Sequence, residues 1–458
     1  MKKTDLDEWK LLMEQLYKLF STDKLDCWAK ESGWIKRKRK LDAYSFLHIL
    51  LYHCGNLAGS SLRELSLSLE ETCHISMTPE AINQRLNKEL IVFLKKCLEH
   101  FIQVELNYQL PISDELRKFC ERIRIIDATI HSLPSDLKET FPGVYRAELK
   151  CQLEYEFLTG QFILADWMNG KENDSLYGKN RLETVSPGDL FLQDLGYFHL
   201  PTFQKIDESG GYFVSRVRPD CSIYTGNPNP RYHADGRVVK SSFYQKESLA
   251  EHLEQMERGS IREWEEVFVG YDYKFPTRLI LYRHTEEQDK SGQYKRKHSR
   301  YQTKEHVRAL DGATIIMTNL PDIIPAEKVM DLYRLRWQIE LLFKGWKSNF
   351  PTTFYKQIKE ERVLCHFFAH LLLFLITATT TYQARLFLLE QSRIEISIQK
   401  GISVALRFIR LMFESIKKYT KLTNGVLKRF HGALCKHALK TKGPPEKDPL
   451  IILGVNYS

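Results

Sequence analysis

The apolar positions change their spacing several times along the chain, and each change predicts a different kind of element. From residue 1 to about 115 they recur at helical intervals, as in Trp9–Phe20 and Ala43–Tyr52. Ser61 opens a short helix through Leu69. After a turn at Glu70–Met77, Thr78 and Pro79 stand as N-cap and first helical residue of a second helix, PEAINQRLNKEL. Beyond about residue 118 the alternation becomes that of strands. Arg122–Ile130, Lys150–Phe157 and Phe162–Trp167 are β-branched or alternating, with Thr159-Gly160 as a turn. A connecting helix fits Glu172–Arg181, followed by a buried strand over Leu190–Phe198 that carries Asp194, and another over Tyr212–Val217.

About a hundred residues then precede the next core-like strand, Thr314–Asn319, and a gap of that size must hold structure of its own. Strand-like runs occur in it at Arg237–Phe243, Trp264–Tyr273 and Arg278–Arg283, with a helix predicted over Ser248–Glu257. The C-terminal part is helical in pattern. Asp331–Phe350 contains helix formers and no proline, Val363–Leu389 is strongly apolar, and Ile402–Lys442 is amphipathic and basic, with Arg407, Arg410, Lys417, Lys418, Lys421, Lys428 and Arg429.

On a helical wheel, Asp331–Phe350 divides sharply. Leu335, Ile339, Leu342, Phe343 and Trp346 gather on the side a core would take. Tyr333, Arg336, Glu340 and Lys347 fall on the opposite edge, within roughly 60° of one another at 100° per residue. A carboxylate with two cations and a phenol suits a metal ion and phosphates. On pattern alone the same charges read as a solvated face.

Composition narrows the partners. The 458 residues carry 67 Lys and Arg against 58 Asp and Glu, a formal charge of +9, which permits nucleic acid without requiring it. Nine cysteines without a CxxC pair argue against a disulfide framework or zinc ribbon and favour a reducing cytosol. The start, MKKTDLDEWK, lacks an apolar signal region, and the apolar run Phe367–Ala378 is shorter than a membrane span, so a cytoplasmic protein with no membrane association is expected. Basic stretches at Lys36–Lys40 and Lys290–Lys304, the latter interleaved with Tyr, suit phosphates or a DNA strand, or are plain solvated loops. In the second N-terminal helix, Asn83, Gln84, Arg85 and Lys88 are side-chain types able to read base edges and phosphates. That makes a helix-turn-helix near 61–90 a candidate DNA-binding unit, against an ordinary hairpin with a wet face.

The spacing Tyr333-x2-Arg336-x3-Glu340-x6-Lys347 resembles the signature around the third catalytic acid of the IS-four family of bacterial insertion-sequence transposases, DDE enzymes with a ribonuclease-H-like core. Asp127-Ala128-Thr129, after the apolar pair Ile125-Ile126, resembles the first acid, and Asp194-Leu-Gly-Tyr-Phe the second. Asp189, after Pro187-Gly188, is better explained as a turn residue, and Asp166 and Asp174 are weaker rivals.

The resemblance implies an α/β fold. A helical DNA-binding domain occupies 1–115, and a ribonuclease-H-like mixed sheet with helices occupies 116–217 and 308–390. A mainly β insertion domain fills 218–307, and a helical region for DNA contact or dimerisation fills 391–458. It implies that Asp127, Asp194 and Glu340 hold two Mg²⁺ ions, with Mn²⁺ able to substitute, for in-line displacement at phosphorus. Tyr333, Arg336 and Lys347 would position DNA phosphates. An aromatic residue of the insertion would hold a flipped base, for which Trp264 is the available tryptophan, at a spacing from Glu340 that does not match well. The implied substrate is double-stranded DNA, both inverted-repeat ends and target, gripped by a homodimer. The alternatives are a catalytically silent DNA-binding regulator, or a structure-specific nuclease without strand transfer.

Overall fold

The structure is a computed structural model that describes residues 14, 20–37, 41–52, 61–106, 108–175, 181–290, 310–350, 359–417, 422–441 and 448–455. Most of the Trp9–Phe20 helix, Lys38–Lys40, Lys418, Lys421 and nearly all of the 290–304 loop lie outside the described residues.

The N-terminal part is helical: α1 (Thr22–Glu31), α2 (Ala43–Tyr52), α3 (Leu62–Cys73), α4 (Pro79–Arg85), α5 (Lys88–Ile102) and the single turn α6 (Asp114–Arg117). Ser61 and Glu64 form a reciprocal capping box at the start of α3, and Thr78 accepts the Ala81 amide at the start of α4, with Pro79 in the first turn. The second helix of this pair is shorter than its pattern suggests. Leu86 leaves helical geometry and is fully buried, and Asn87 caps a new helix by accepting the Leu90 amide at 3.0 Å.

A ten-stranded sheet follows: β1 (Arg122–Ser132), β2 (Glu148–Glu156), β3 (Gln161–Asn169), β4 (Asp189–Gln193), β5 (Tyr212–Arg216), β6 (Ile223–Gly226), β7 (Tyr244–Glu247), β8 (Ile261–Val269), β9 (Phe275–Arg283) and β10 (Ala313–Thr318). Their spatial order is β3-β2-β1-β4-β5-β10-β9-β8-β6-β7. Strands β1, β2 and β3 form an antiparallel meander, β4 and β5 add in parallel to β1, and β10 pairs antiparallel to β5. Within the long gap, Arg237–Phe243 is not a strand. It holds the Val238 end of a bridge to Tyr232 and then a 3-10 turn over Lys240–Ser242, and the strand starts at Tyr244. Helix α7 (Leu200–Glu208) follows β4, and α8 (Leu249–Gln255) lies where Ser248–Glu257 predicted it.

After β10 come α9 (Ala326–Arg334), α10 (Trp337–Asn349), α11 (Glu360–Ser392), α12 (Ile398–Lys417), α13 (Leu422–His437) and the short α14 (Pro449–Ile452). The Asp331–Phe350 helix is therefore two helices. At Leu335–Arg336 the hydrogen bonds tighten to three-residue steps, Arg336 to Tyr333 at 3.1 Å and Gln338 to Leu335 at 2.9 Å. The expected core side holds: Leu335, Ile339, Leu342, Phe343 and Trp346 are all buried. Trp346 stacks on Phe374 of α11, with centroids 4.8 Å apart, and meets His131 of β1 at 4.6 Å. Burying such an aromatic contributes about 2–3 kcal/mol. Helix α11 is much longer than the apolar run that announces it. It is long and apolar enough to cross a membrane, but 94% of its most apolar window is buried within the fold.

Candidate active site

Two of the predicted acids are neighbours because of strand register. Strand β4 pairs in parallel with β1, with Gln193 opposite Ile126, so Asp194 leaves the end of β4 beside Asp127. Asp127 shares a face of β1 with Thr129 and His131, and His131 packs on Trp346 of α10. The third acid arrives from that helix. Arg336, at the tightened turn before α10, donates from Nη1 to Asp127 Oδ2 at 3.3 Å and from Nη2 to Glu340 Oε1 at 2.8 Å. Since Arg336 meets Asp127 and Trp346 meets His131 four residues further on, α10 runs in the same direction as β1.

The electrostatics follow from burial and crowding. Asp127 is pushed up to about 6, first by burial and also by Asp194 and Glu340, against its bond from the Ala128 amide and the Arg336 charge. Burial raises Tyr333 to about 12, and its hydroxyl has no hydrogen-bond partner among the described residues. Lys347 is exposed two turns beyond Glu340, and its charge adds to the burial that lowers His131 to about 3.

The donor chemistry fits a hard divalent cation: three carboxylates and no sulfur or imidazole. Among the described residues no three such side chains stand close enough to share an ion. The Arg336 guanidinium, bonded to both Asp127 and Glu340, supplies the positive charge between them.

Other predicted residues take different places. Asp189 is not a turn residue alone. It is fully buried and pairs with Arg122 at 2.6 Å and Arg124 at 2.8 Å while accepting the Ser186 amide at 2.9 Å. Asp174 is bonded to Lys150 at 3.0 Å and Gln152 at 2.7 Å. Asp166 accepts the Trp167 amide, and burial raises it. Trp264 lies on β8, five strands from β1 or roughly 24 Å at ordinary strand spacing. There it packs edge-on to His252, with centroids 5.1 Å apart.

On α4, Gln84 and, at the start of α5, Lys88 are exposed. Arg85 is tied back to the Trp34 carbonyl at 3.2 Å, and the Asn83 carbonyl accepts Lys359 at 2.7 Å.

Sequence reasoning passed over Trp337. It is 48% exposed beside Glu340, with the Lys344 ammonium 4.6 Å from its ring centroid, and it lines a cavity of about 520 Å³ with Tyr333, Arg334, Arg336 and Gln338. The signal available in the sequence is a tryptophan directly after the signature Arg336, on the edge that Tyr333 and Glu340 share.

Comparison with known proteins gives the family. Residues 118–376 match the family described as the transposase DDE domain. The transposase for insertion sequence element IS231C from Bacillus thuringiensis subsp. berliner is 34% identical over 98% of this chain and 96% of its own. The transposase for IS1151 from Clostridium perfringens is 29% identical over 89% of this chain and 88% of its own. A solved piggyBac transposase synaptic complex with hairpin DNA is similar at a TM-score of 0.45 and 12% identity, over 95% of this chain and 86% of that one. The chain belongs to the DDE transposases of bacterial insertion sequences, enzymes that catalyse DNA cleavage and strand transfer. Enzymes of this family generally require divalent metal ions.

Proposed function

We propose that Asp127, Asp194 and Glu340 are the catalytic carboxylates of this transposase and the ligands of its metal ions. The observation that carries this reading is the Arg336 guanidinium, which bonds an acid on the sheet and an acid on the helix together. Two bound Mg²⁺ ions, or Mn²⁺ in their place, would lower the pKa of the attacking water or 3′-hydroxyl and stabilise the leaving oxygen.

The protein's part is positioning. Arg336 has N–H donors beyond the two used on Asp127 and Glu340, and these suit a phosphate in the fork geometry of a guanidinium. Lys347 adds a point charge two turns beyond Glu340 on α10. The buried Tyr333 hydroxyl, held protonated, is a donor for DNA rather than a nucleophile. Trp337 offers an exposed π-face on which an unpaired base can stack, and it takes over the role the sequence suggested for Trp264.

The strand order β3-β2-β1-β4-β5, with one acid on β1 and another after β4, supports a ribonuclease-H-like core over 116–217 and 308–390. In this layout 218–307 is an insertion whose strands β6–β9 extend the sheet past β10. Residues 1–115 bind the inverted-repeat ends, with Gln84 and Lys88 on the free face, and 391–458 contact DNA or a second subunit. The protein then works in the cytoplasm as a homodimer on double-stranded DNA, cutting the element out and joining it to a target.

The test uses duplex oligonucleotides from the DNA flanking the gene, incubated with Mg²⁺ and either the protein or Asp127→Asn. A metal-dependent cut at an inverted-repeat boundary, absent in the variant, is expected on a denaturing gel. Cutting that survives in Asp127→Asn would refute the assignment.

A further inference from the structure

The acids have a buried polar support on the opposite face of the sheet. The loop that carries Asp194 turns at once into a single tight turn, with the Tyr197 amide donating to the Asp194 carbonyl at 3.0 Å. Tyr197 is 2% exposed, and its ring packs on Ile126, the residue before Asp127. Its hydroxyl donates to Gln152 Oε1. Gln152 is fully buried on β2, directly opposite Ala128, the residue after Asp127. Tyr197 therefore touches β1 and β2 on either side of the first acid while standing three residues from the second.

The chain of bonds continues in both directions. Gln152 Nε2 donates to Asp174 at 2.7 Å, and Asp174 is held by Lys150 at 3.0 Å, itself donating to the Glu172 carbonyl at 2.6 Å. On the other side the Tyr197 carbonyl accepts Gln193 Nε2 at 3.2 Å, and Gln193, fully buried, accepts from Arg181. Asp174 also closes the loop from outside. A Cβ at Gly196 would stand 3.4 Å from its Oδ2, at the edge of ordinary contact.

We propose that Tyr197, acting through Gln152 and Asp174, is a positioning residue that holds the Asp194 carboxylate at its spacing from Asp127, so that the pair is preset for a divalent cation. This rests on the reading of Asp127 and Asp194 as metal ligands. It gives the sequence's rival acid, Asp174, the work of an anchor and not of a ligand. A buried hydroxyl whose oxygen and ring each grip a different neighbour of one acid transmits small displacements to the other, because packed, hydrogen-bonded groups have little freedom to relax.

The experiment is Mn²⁺ binding followed by electron paramagnetic resonance on the full chain bound to duplex DNA carrying an inverted-repeat end. Four single variants are compared with the wild type: Tyr197→Phe, Asp174→Ala, Asp194→Asn and Tyr155→Phe. Tyr155 is an equally buried tyrosine on β2 that faces Tyr382 instead of the acids. Tyr197→Phe and Asp174→Ala are each expected to weaken Mn²⁺ binding five- to tenfold, with their double variant no worse than the single ones, since both cut one chain of bonds. Tyr155→Phe is expected to lower the melting temperature and leave Mn²⁺ binding as in the wild type.

Wild-type Mn²⁺ affinity in Tyr197→Phe, alongside its loss in Asp194→Asn, overturns the positioning role alone. Wild-type affinity in Asp194→Asn overturns the metal-ligand reading beneath it. If Tyr197→Phe does not fold, the half-buried Asp174→Ala carries the same decision.

Discussion

Arg336 donates to Asp127 at 3.3 Å and to Glu340 at 2.8 Å, so a single guanidinium joins strand β1 to helix α10. A lysine ammonium cannot span two carboxylates with the same fork. Arg336→Lys is therefore expected to cut strand cleavage by about a hundredfold, the scale of losing one oriented donor at a reacting centre. Gel-based rates at saturating DNA would measure it. A rate within twofold of the wild type would remove Arg336 from the reaction.

Asp127 makes stability depend on pH. Its folded-state pKa, near 6, lies above the value of about 3.8 for a free carboxyl. Between those values the folded protein binds more protons than the unfolded chain, so stability falls as pH rises through that window. In the metal-free protein, Asp127→Asn is expected to be the more stable at pH 8, by an amount on the order of 2–3 kcal/mol. The advantage should vanish at about pH 2.5, below both values, where the carboxyl is neutral folded or unfolded. Melting curves at the two pH values check both halves, and an equal difference at each would mean that the buried Asp127 charge is not its origin.

Much of this arrangement was legible in the chain because its signals are local. The alternation that marks β1, β2 and β3 and the cap residues Ser61 and Thr78 produced the elements they announce. The apolar stripe of α10 likewise faces the core. What the sequence could not show is long-range. Nothing in Pro187-Gly188-Asp189 reveals that two arginines 65 and 67 residues earlier fold over the carboxylate. The break at Leu335–Arg336 has no glycine or proline to announce it, since the helix there tightens while staying in the right-handed helical region. Trp264 has the residue type of a base holder at a spacing from Glu340 that matches poorly, and the strand order sets it five strands from β1.

Trp337 is the exposed tryptophan among the described residues, the others being buried or partly covered. If DNA stacks on it, its emission should be quenched on binding a duplex with an unpaired base at the cleavage end. Trp337→Ala should then remove most of that quenching and weaken binding of such a duplex by one to two orders of magnitude, following about 1–3 kcal/mol per stacked base. Quenching that is the same in Trp337→Ala would assign the change to another tryptophan.

The helices near the N-terminus separate two kinds of basic and polar residue. Gln84 and Lys88 are exposed, whereas Arg85 donates to the Trp34 carbonyl at 3.2 Å and its own carbonyl accepts the Trp34 indole at 3.0 Å. Gln84→Ala with Lys88→Ala should weaken binding of inverted-repeat DNA severalfold without changing the melting temperature. Arg85→Ala should lower the melting temperature by a few degrees, as expected for about 1 kcal/mol from a lost charged hydrogen bond. Mobility-shift assays and melting curves on the same preparations distinguish them. Reversed outcomes would place Arg85 on the DNA.

Asp189 tests how far the core depends on charge. Arg124 and Glu154 are fully buried, Asp189 is 1% exposed at its side chain, and Arg124 pairs with both acids at 2.8 Å. The Arg124 guanidinium also lies over the Phe191 ring, 4.5 Å from its centroid, and donates to Thr184, so it has no route to water. Removing one acid leaves that cation buried with a single carboxylate, which is far costlier than never having built the pair. Asp189→Ala should therefore destabilise the fold by about 3–5 kcal/mol. Asp189→Asn, which keeps an acceptor but not the charge, should cost less. The same network ties β1 to β4, the two strands whose register sets Asp127 beside Asp194, so Asp189→Asn should also slow cleavage at temperatures where it remains folded. Denaturant titration with cleavage rates measured at low temperature would decide it, and unchanged stability in Asp189→Ala would mean the pair is not the clamp its burial implies.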